Sequence, residues 1–97
     1  MKAVYSPRAI KDLKRIAEYL KERSPRGATA VGRRIEVAVK NLLEFPGLGT
    51  PVSEREGVRV MPLVRYPYLV FYEVIGDELI VLHIRHGARQ PIEPDEL

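Results

Sequence analysis

Apolar positions follow two different rhythms along this chain. From Ser6 to Leu43 they recur every three or four residues, as on one face of a helix. From Val58 to His86 they come in short β-branched and aromatic runs, as in strands. In the first region Ile10, Leu13, Ile16, Ala17 and Leu20 make one stripe, with Lys11, Lys14, Arg15, Glu18 and Lys21 mostly outside it. Ser6 is a good N-cap and Pro7 suits a first helical position. Ser24-Pro25 repeats that start signal. The second stripe is Ala28, Val31, Ile35, Ala38, Val39, Leu42 and Leu43, and Pro46 ends it. A connection this short predicts an antiparallel helical hairpin.

The strand region starts after a Gly- and Pro-rich loop over 46–57. "VRVMPLV" reads as a strand whose Pro62 marks an edge or a bulge. "RYPYLVFYEV" is apolar on both alternating faces and reads as a central, buried strand. Gly76-Asp77 offers a two-residue hairpin turn into the last strand, "ELIVLHIRHG". "KAVY", residues 2–5, is a short opening strand, and 90–97 reads as an irregular tail. The order β-α-α-β-β-β predicts an α+β fold over 1–97 as a single domain. A helical hairpin would cover one face of a small, mainly antiparallel sheet.

Strict alternation along the last strand assigns its faces. Ile80, Leu82 and Ile84 would meet the helices. Leu79, Val81, His83 and Arg85 would lie on the open face, joined by Tyr68, Val70 and Tyr72 in a matching register. An apolar face left open by so small a domain is a candidate partner surface.

Charge sharpens this picture. Residues 1–45 carry eleven Lys/Arg against five Asp/Glu, net +6, whereas 46–97 carry five against eight, net −3. The basic helices therefore admit an acidic protein or a nucleic acid as partner. There is no cysteine, which excludes disulfides and thiolate metal sites. No apolar run approaches the roughly 20 residues of a membrane span, and the N-terminus lacks a signal-peptide core.

The chemistry concentrates in "LHIRHGARQP", which holds both histidines, His83 and His86, with Arg85 and Arg89. Together with Arg59 and Arg65 these residues supply the types needed to cut RNA by its own 2′-hydroxyl: base, acid and phosphate-binding cations. Against that, histidines three apart in a regular strand point to opposite faces. His83-x-x-His86 has no cysteine or fixed carboxylate beside it, so no metal site is expected. No phosphate-binding glycine loop, nucleophile elbow or HExxH motif occurs.

The opening strand with "SPRAIKDLKRIAEYL", the loop "EFPGLGTPV", and "GVRVMPLVRYPYLVFYEVIGDELIVLHIRHGARQP" together resemble the RelE/ParE superfamily of type II toxin–antitoxin toxins. The likeness rests on Arg65-x-Pro67-Tyr68 leading into a strand with Tyr72, the Gly-Asp hairpin, and His86-Gly87-x-Arg89. It implies a toxin acting in the cytoplasm of a bacterium or archaeon, held in a hetero-oligomer by a cognate antitoxin. Operator DNA would be reached only through that antitoxin, with no cofactor and no membrane. RelE-like members cleave mRNA on the ribosome with basic residues and a late Tyr or His. ParE-like members poison DNA gyrase. Here no Tyr follows Tyr72 and no Lys follows Lys40, and "HGARQP" looks ParE-like, which favours gyrase as target and ribosome-bound mRNA as the alternative. On this resemblance the target-binding candidates are Arg59, Arg65, Arg85, His86 and Arg89. A RelE-like enzyme would instead use Arg65, His83, Arg85 and His86. Antitoxin-binding candidates are Lys11, Lys14, Arg15, Arg33, Arg34, Tyr68, Tyr72, Leu79, Val81 and His83.

Overall fold

The computed structural model describes residues 1–88 of the 97-residue chain. Arg89 and the tail over 90–97 lie outside the described residues. Strand β1 (Lys2–Tyr5) leads into α1 (Pro7–Arg23) and α2 (Pro25–Glu44). A 3-10 turn (Pro46–Leu48) and the two-residue β2 (Thr50–Pro51) follow, then β3 (Val58–Pro62), β4 (Tyr68–Ile75) and β5 (Glu78–His86). The sheet order is β1-β5-β4-β3-β2. Only the β1–β5 pairing is parallel. The expected architecture is present, with one short strand, β2, added inside the stretch read as loop.

Both helix starts form as the sequence dictates. The Ser6 hydroxyl accepts the Ala9 N–H at 3.0 Å and the Ser24 hydroxyl accepts the Gly27 N–H at 3.0 Å, each followed by proline at the first helical position. The buried face of α1 is turned slightly from the expected stripe. Ala9 and Asp12 are buried with Leu13, Ile16 and Leu20 packed nearby, while Ile10 is 45% exposed. On α2, Val31, Ile35, Val39 and Leu42 are buried as expected. Each such aliphatic side chain stabilises the fold by roughly 2 kcal/mol relative to exposure.

The face assignment of β5 is overturned for Leu79, Val81 and Leu82, while Ile84 meets the helices as expected. Leu79 and Val81 are fully buried against the helices, together with Ile84. Leu82 joins Val58, Phe71, Val52, Val60 and Leu69 in a smaller apolar cluster on the other face. The cause is a β-bulge: Phe71 pairs with His83, but the next residue, Tyr72, pairs with Val81. One extra residue on β5 resets the alternation, so odd positions face the helices before it and Ile84 does after it. Tyr68, Val70 and Tyr72 also belong to the helix-facing core rather than the open face.

At the same point on β4, Tyr72 ties down the loop that follows α2. Its hydroxyl accepts the Gly49 N–H at 2.9 Å and donates to the Pro46 carbonyl at 2.6 Å. Glycine is required at 49 because a Cβ there would stand 2.6 Å from that hydroxyl. Gly76 takes φ 58° in the β4–β5 turn, as the Gly-Asp signal predicts. Tyr72→Phe removes both hydrogen bonds and leaves a buried N–H and a carbonyl short of partners. It should cost about 2 kcal/mol and lower Tm by about 10 °C in a thermal melt.

Candidate functional site

β1 covers only the first half of β5, pairing with Glu78–Val81. Past that point the outer edge of β5 would expose unpaired N–H and C=O groups. The chain turns there into α1, and side chains from its first two turns take over the edge. The Ser6 N–H donates to the Val81 carbonyl at 2.9 Å, and the Ser6 hydroxyl donates to the Leu82 carbonyl at 2.8 Å. Asp12 accepts the Ile84 N–H at 3.0 Å and the Nδ1–H of His83 on the same oxygen, Oδ2. Its other oxygen takes the Arg8 Nε–H at 3.2 Å. The Asp12 carboxylate is 4% exposed, and a buried charge persists only when its lone pairs are engaged in this way. His83 is 2% exposed, and its ring stacks on Phe71 at 6.1 Å between centroids. Asp12 escaped the sequence reading; the available signal was an acid standing within the apolar stripe, between Ala9 and Ile16.

Beside this anchor lies a groove of about 630 Å³, bounded by α1, the start of α2, and the adjoining ends of β4 and β5. Ile16, Leu20, Val31 and Ile84 give it an apolar lining. Tyr19, Tyr66 and Tyr68 add aromatic surface, and Arg15, Arg85 and His86 add cationic or polar groups. Tyr19 is 53% exposed with the Arg23 guanidinium 3.7 Å over its ring. Burial, and then the neighbouring Tyr19, push the Tyr68 phenol above its ordinary pKa. His86 meets Tyr68 edge-on at 5.6 Å, and its Nδ1 accepts the Ala88 N–H at 3.1 Å.

The anticipated residues are thus distributed unevenly. Arg85 and His86 come together at the groove, with Tyr68 and Arg15. Arg59 lines a separate, smaller cavity; its Nη1 donates to the Gly49 carbonyl at 2.7 Å, so it braces the loop that Tyr72 holds. Arg65 is exposed on the β3–β4 loop, and Arg89 lies outside the described residues. Lys11, Lys14, Arg15 and Arg33 are exposed and Arg34 is half-buried. Tyr72, Leu79, Val81 and His83 have relative exposures of 2% or less and offer no docking surface, which corrects the expectation for them. The bulge explains Leu79 and Val81; the Asp12 carboxylate explains His83.

Residues 3–91 match the family model described as ParE toxin of type II toxin–antitoxin system, parDE. The chain is 33% identical over 85 residues to Toxin RelE1 of Caulobacter vibrioides, covering 88% of this chain and 91% of that one. The fold is similar to a toxin–antitoxin structure described as the chromosomal ParDE system of P. aeruginosa, with a TM-score of 0.76 and 28% identity over 89% of this chain and 95% of that chain. It also resembles the RelBE2 complex of Mycobacterium tuberculosis, with a TM-score of 0.58 and 23% identity, covering 88% and 95%. The latter supports the fold alone.

Asp12→Ala strands the Ile84 N–H and the His83 imidazole in the interior and frees Arg8. The expected loss is about 3 kcal/mol or more by chemical denaturation. Lys14→Ala, two residues on and on the solvent side of α1, should change stability by less than about 0.5 kcal/mol.

Proposed function

The chain belongs to the ParE toxin family, within the RelE/ParE superfamily of type II toxins, and from that premise we propose that it arrests its target by binding, as a ParE-like inhibitor of DNA gyrase. We further propose that a cognate antitoxin neutralises it by seating an apolar segment in the Tyr19–Tyr68 groove. The toxin would act in the cytoplasm, where such a target resides. The observation that carries the binding mode is the state of His83. A general base must reach the 2′-hydroxyl it deprotonates. The His83 imidazole is buried and its Nδ1 is engaged by Asp12, which favours a structural role over proton transfer. Arg59, a candidate phosphate ligand, is likewise engaged by a backbone carbonyl.

The groove suits a partner segment. It is concave, apolar along its floor, aromatic and partly cationic at its sides, as expected of a seat for an amphipathic peptide with acidic flanks. The exposed cations of the hairpin, Lys11, Lys14 and Arg33 among them, extend that complementarity over the adjoining surface.

A second reading has its own support. The Caulobacter relative carries a RelE name, and Arg85 and His86 do meet at one site, a cation beside an imidazole. In that reading the chain would be a ribosome-dependent mRNA endoribonuclease. Mapping RNA 5′ ends after induction tests it: new cuts at ribosome-bound codons would favour it over gyrase.

For the gyrase reading, purified toxin should inhibit supercoiling of relaxed plasmid by gyrase with ATP and trap linear DNA. Folded, antitoxin-competent protein that leaves gyrase untouched would refute it. For the groove, Tyr19→Ala should weaken antitoxin binding roughly 10-fold, read by titration calorimetry, because exposed aromatic anchors dominate such interfaces.

A further inference from the structure

Arg65 is the one non-glycine residue among the described residues with a positive φ, 73°. In that conformation the Cβ of an L-residue crowds the following carbonyl oxygen, and glycine is the usual occupant. The loop around it is tightly fixed. Leu63 and Tyr68, both 6% exposed, anchor it in the core, and the Leu63 N–H donates to the Tyr68 carbonyl at 2.9 Å. The Gly87 N–H donates to the Pro67 carbonyl at 2.7 Å, tying the loop to the end of β5. Pro62 and Pro67 stiffen both sides.

What this fixed loop presents is a pair of side chains with no internal role. Val64 is 63% exposed, more than any other exposed large apolar residue among those described. Arg65 is exposed and has no hydrogen-bond or ion-pair partner among the described residues. Strain kept at a position where glycine would relieve it, in service of side chains that stabilise nothing inside the fold, is a mark of a contact element.

We propose that Val64–Arg65 is a preorganised tip that inserts into a cleft on the toxin's protein target, Val64 filling an apolar pocket and Arg65 pairing with a carboxylate at its edge. The proposal rests on the toxin reading above. A nucleic acid fits the tip less well, because backbone recognition calls for several cations, whereas here a single cation stands beside the most exposed aliphatic side chain. A fixed tip loses little freedom on docking, so its contacts convert efficiently into affinity. The tip also adjoins Tyr66 and Pro67 of the groove, so a segment seated there would crowd the target's approach.

The test is inducible expression of the full chain, without antitoxin, as wild type, Arg65→Ala, Arg65→Gly and Val64→Ser. Each variant is also measured for Tm and antitoxin affinity. Arg65→Ala and Arg65→Gly should raise the dose needed for growth arrest roughly 10-fold, the effect of losing an interface arginine. Val64→Ser should raise it several-fold. Arg65→Gly should melt no lower than wild type, since it relieves the backbone while removing the side chain, and all three should still bind antitoxin. Variants that arrest growth like wild type overturn the tip and leave the toxin reading standing. Wild-type protein that leaves growth untouched overturns the toxin reading, and the tip with it. Fluorescence anisotropy with a labelled 20-nucleotide RNA and a 20-bp DNA duplex supplies the other arm. Unchanged weak binding by Arg65→Ala supports a protein cleft; a matching 10-fold loss there makes phosphate the partner and overturns it.

Discussion

The carboxylate of Asp12 is the constraint on which the rest of this structure depends. A short β1 leaves half of the outer edge of β5 without a partner strand, and an exposed edge invites wrong pairing. Asp12 closes that edge from the side by accepting the Ile84 N–H, and it carries His83 and Arg8 on its remaining lone pairs. The interaction satisfies a buried backbone donor. It also fixes α1 along β5 at a set distance and angle. Moving α1 would break a charged, water-excluded contact, which costs far more than sliding apolar surfaces past one another.

The groove follows from that placement. With α1 pinned at Asp12, its next turns, carrying Ile16, Tyr19 and Leu20, stand over the end of β5 without closing on it. The other sheet face offers less: its apolar cluster is small, and Val58 and Phe71 within it are already buried. A partner segment gains more apolar contact in the groove, and the arginines and tyrosines there give it direction.

Much of this was legible in the residues. Ser-Pro twice over placed both helix starts, and the Gly-Asp turn placed the last hairpin. The resemblance to the superfamily rested on these elements together with the Arg65-x-Pro67-Tyr68 and His86-Gly87 motifs, and the family match agrees with it. Leu79, Val81 and Leu82 were assigned to the wrong faces of the sheet because period-2 alternation assumes an unbroken ladder, and nothing in "LIVLHIR" announces an extra residue. Asp12 was passed over because a carboxylate in an apolar stripe has no visible partner until a strand more than 70 residues away is brought beside it. Arg85 and His86 stood out because that stretch is dense in chemistry; that they share a groove with Tyr68 depends on how β5 leaves its bulge.

The most direct test of the groove as the point of neutralisation is amide hydrogen exchange on the toxin, alone and saturated with its antitoxin. An antitoxin seated in the groove should slow exchange along α1 beyond Asp12 and at the ends of β4 and β5 that border the groove, around Tyr68 and His86. Protection confined to Val58–Val60 and Leu69–Phe71, with the groove unchanged, would place the antitoxin on the open face and contradict it.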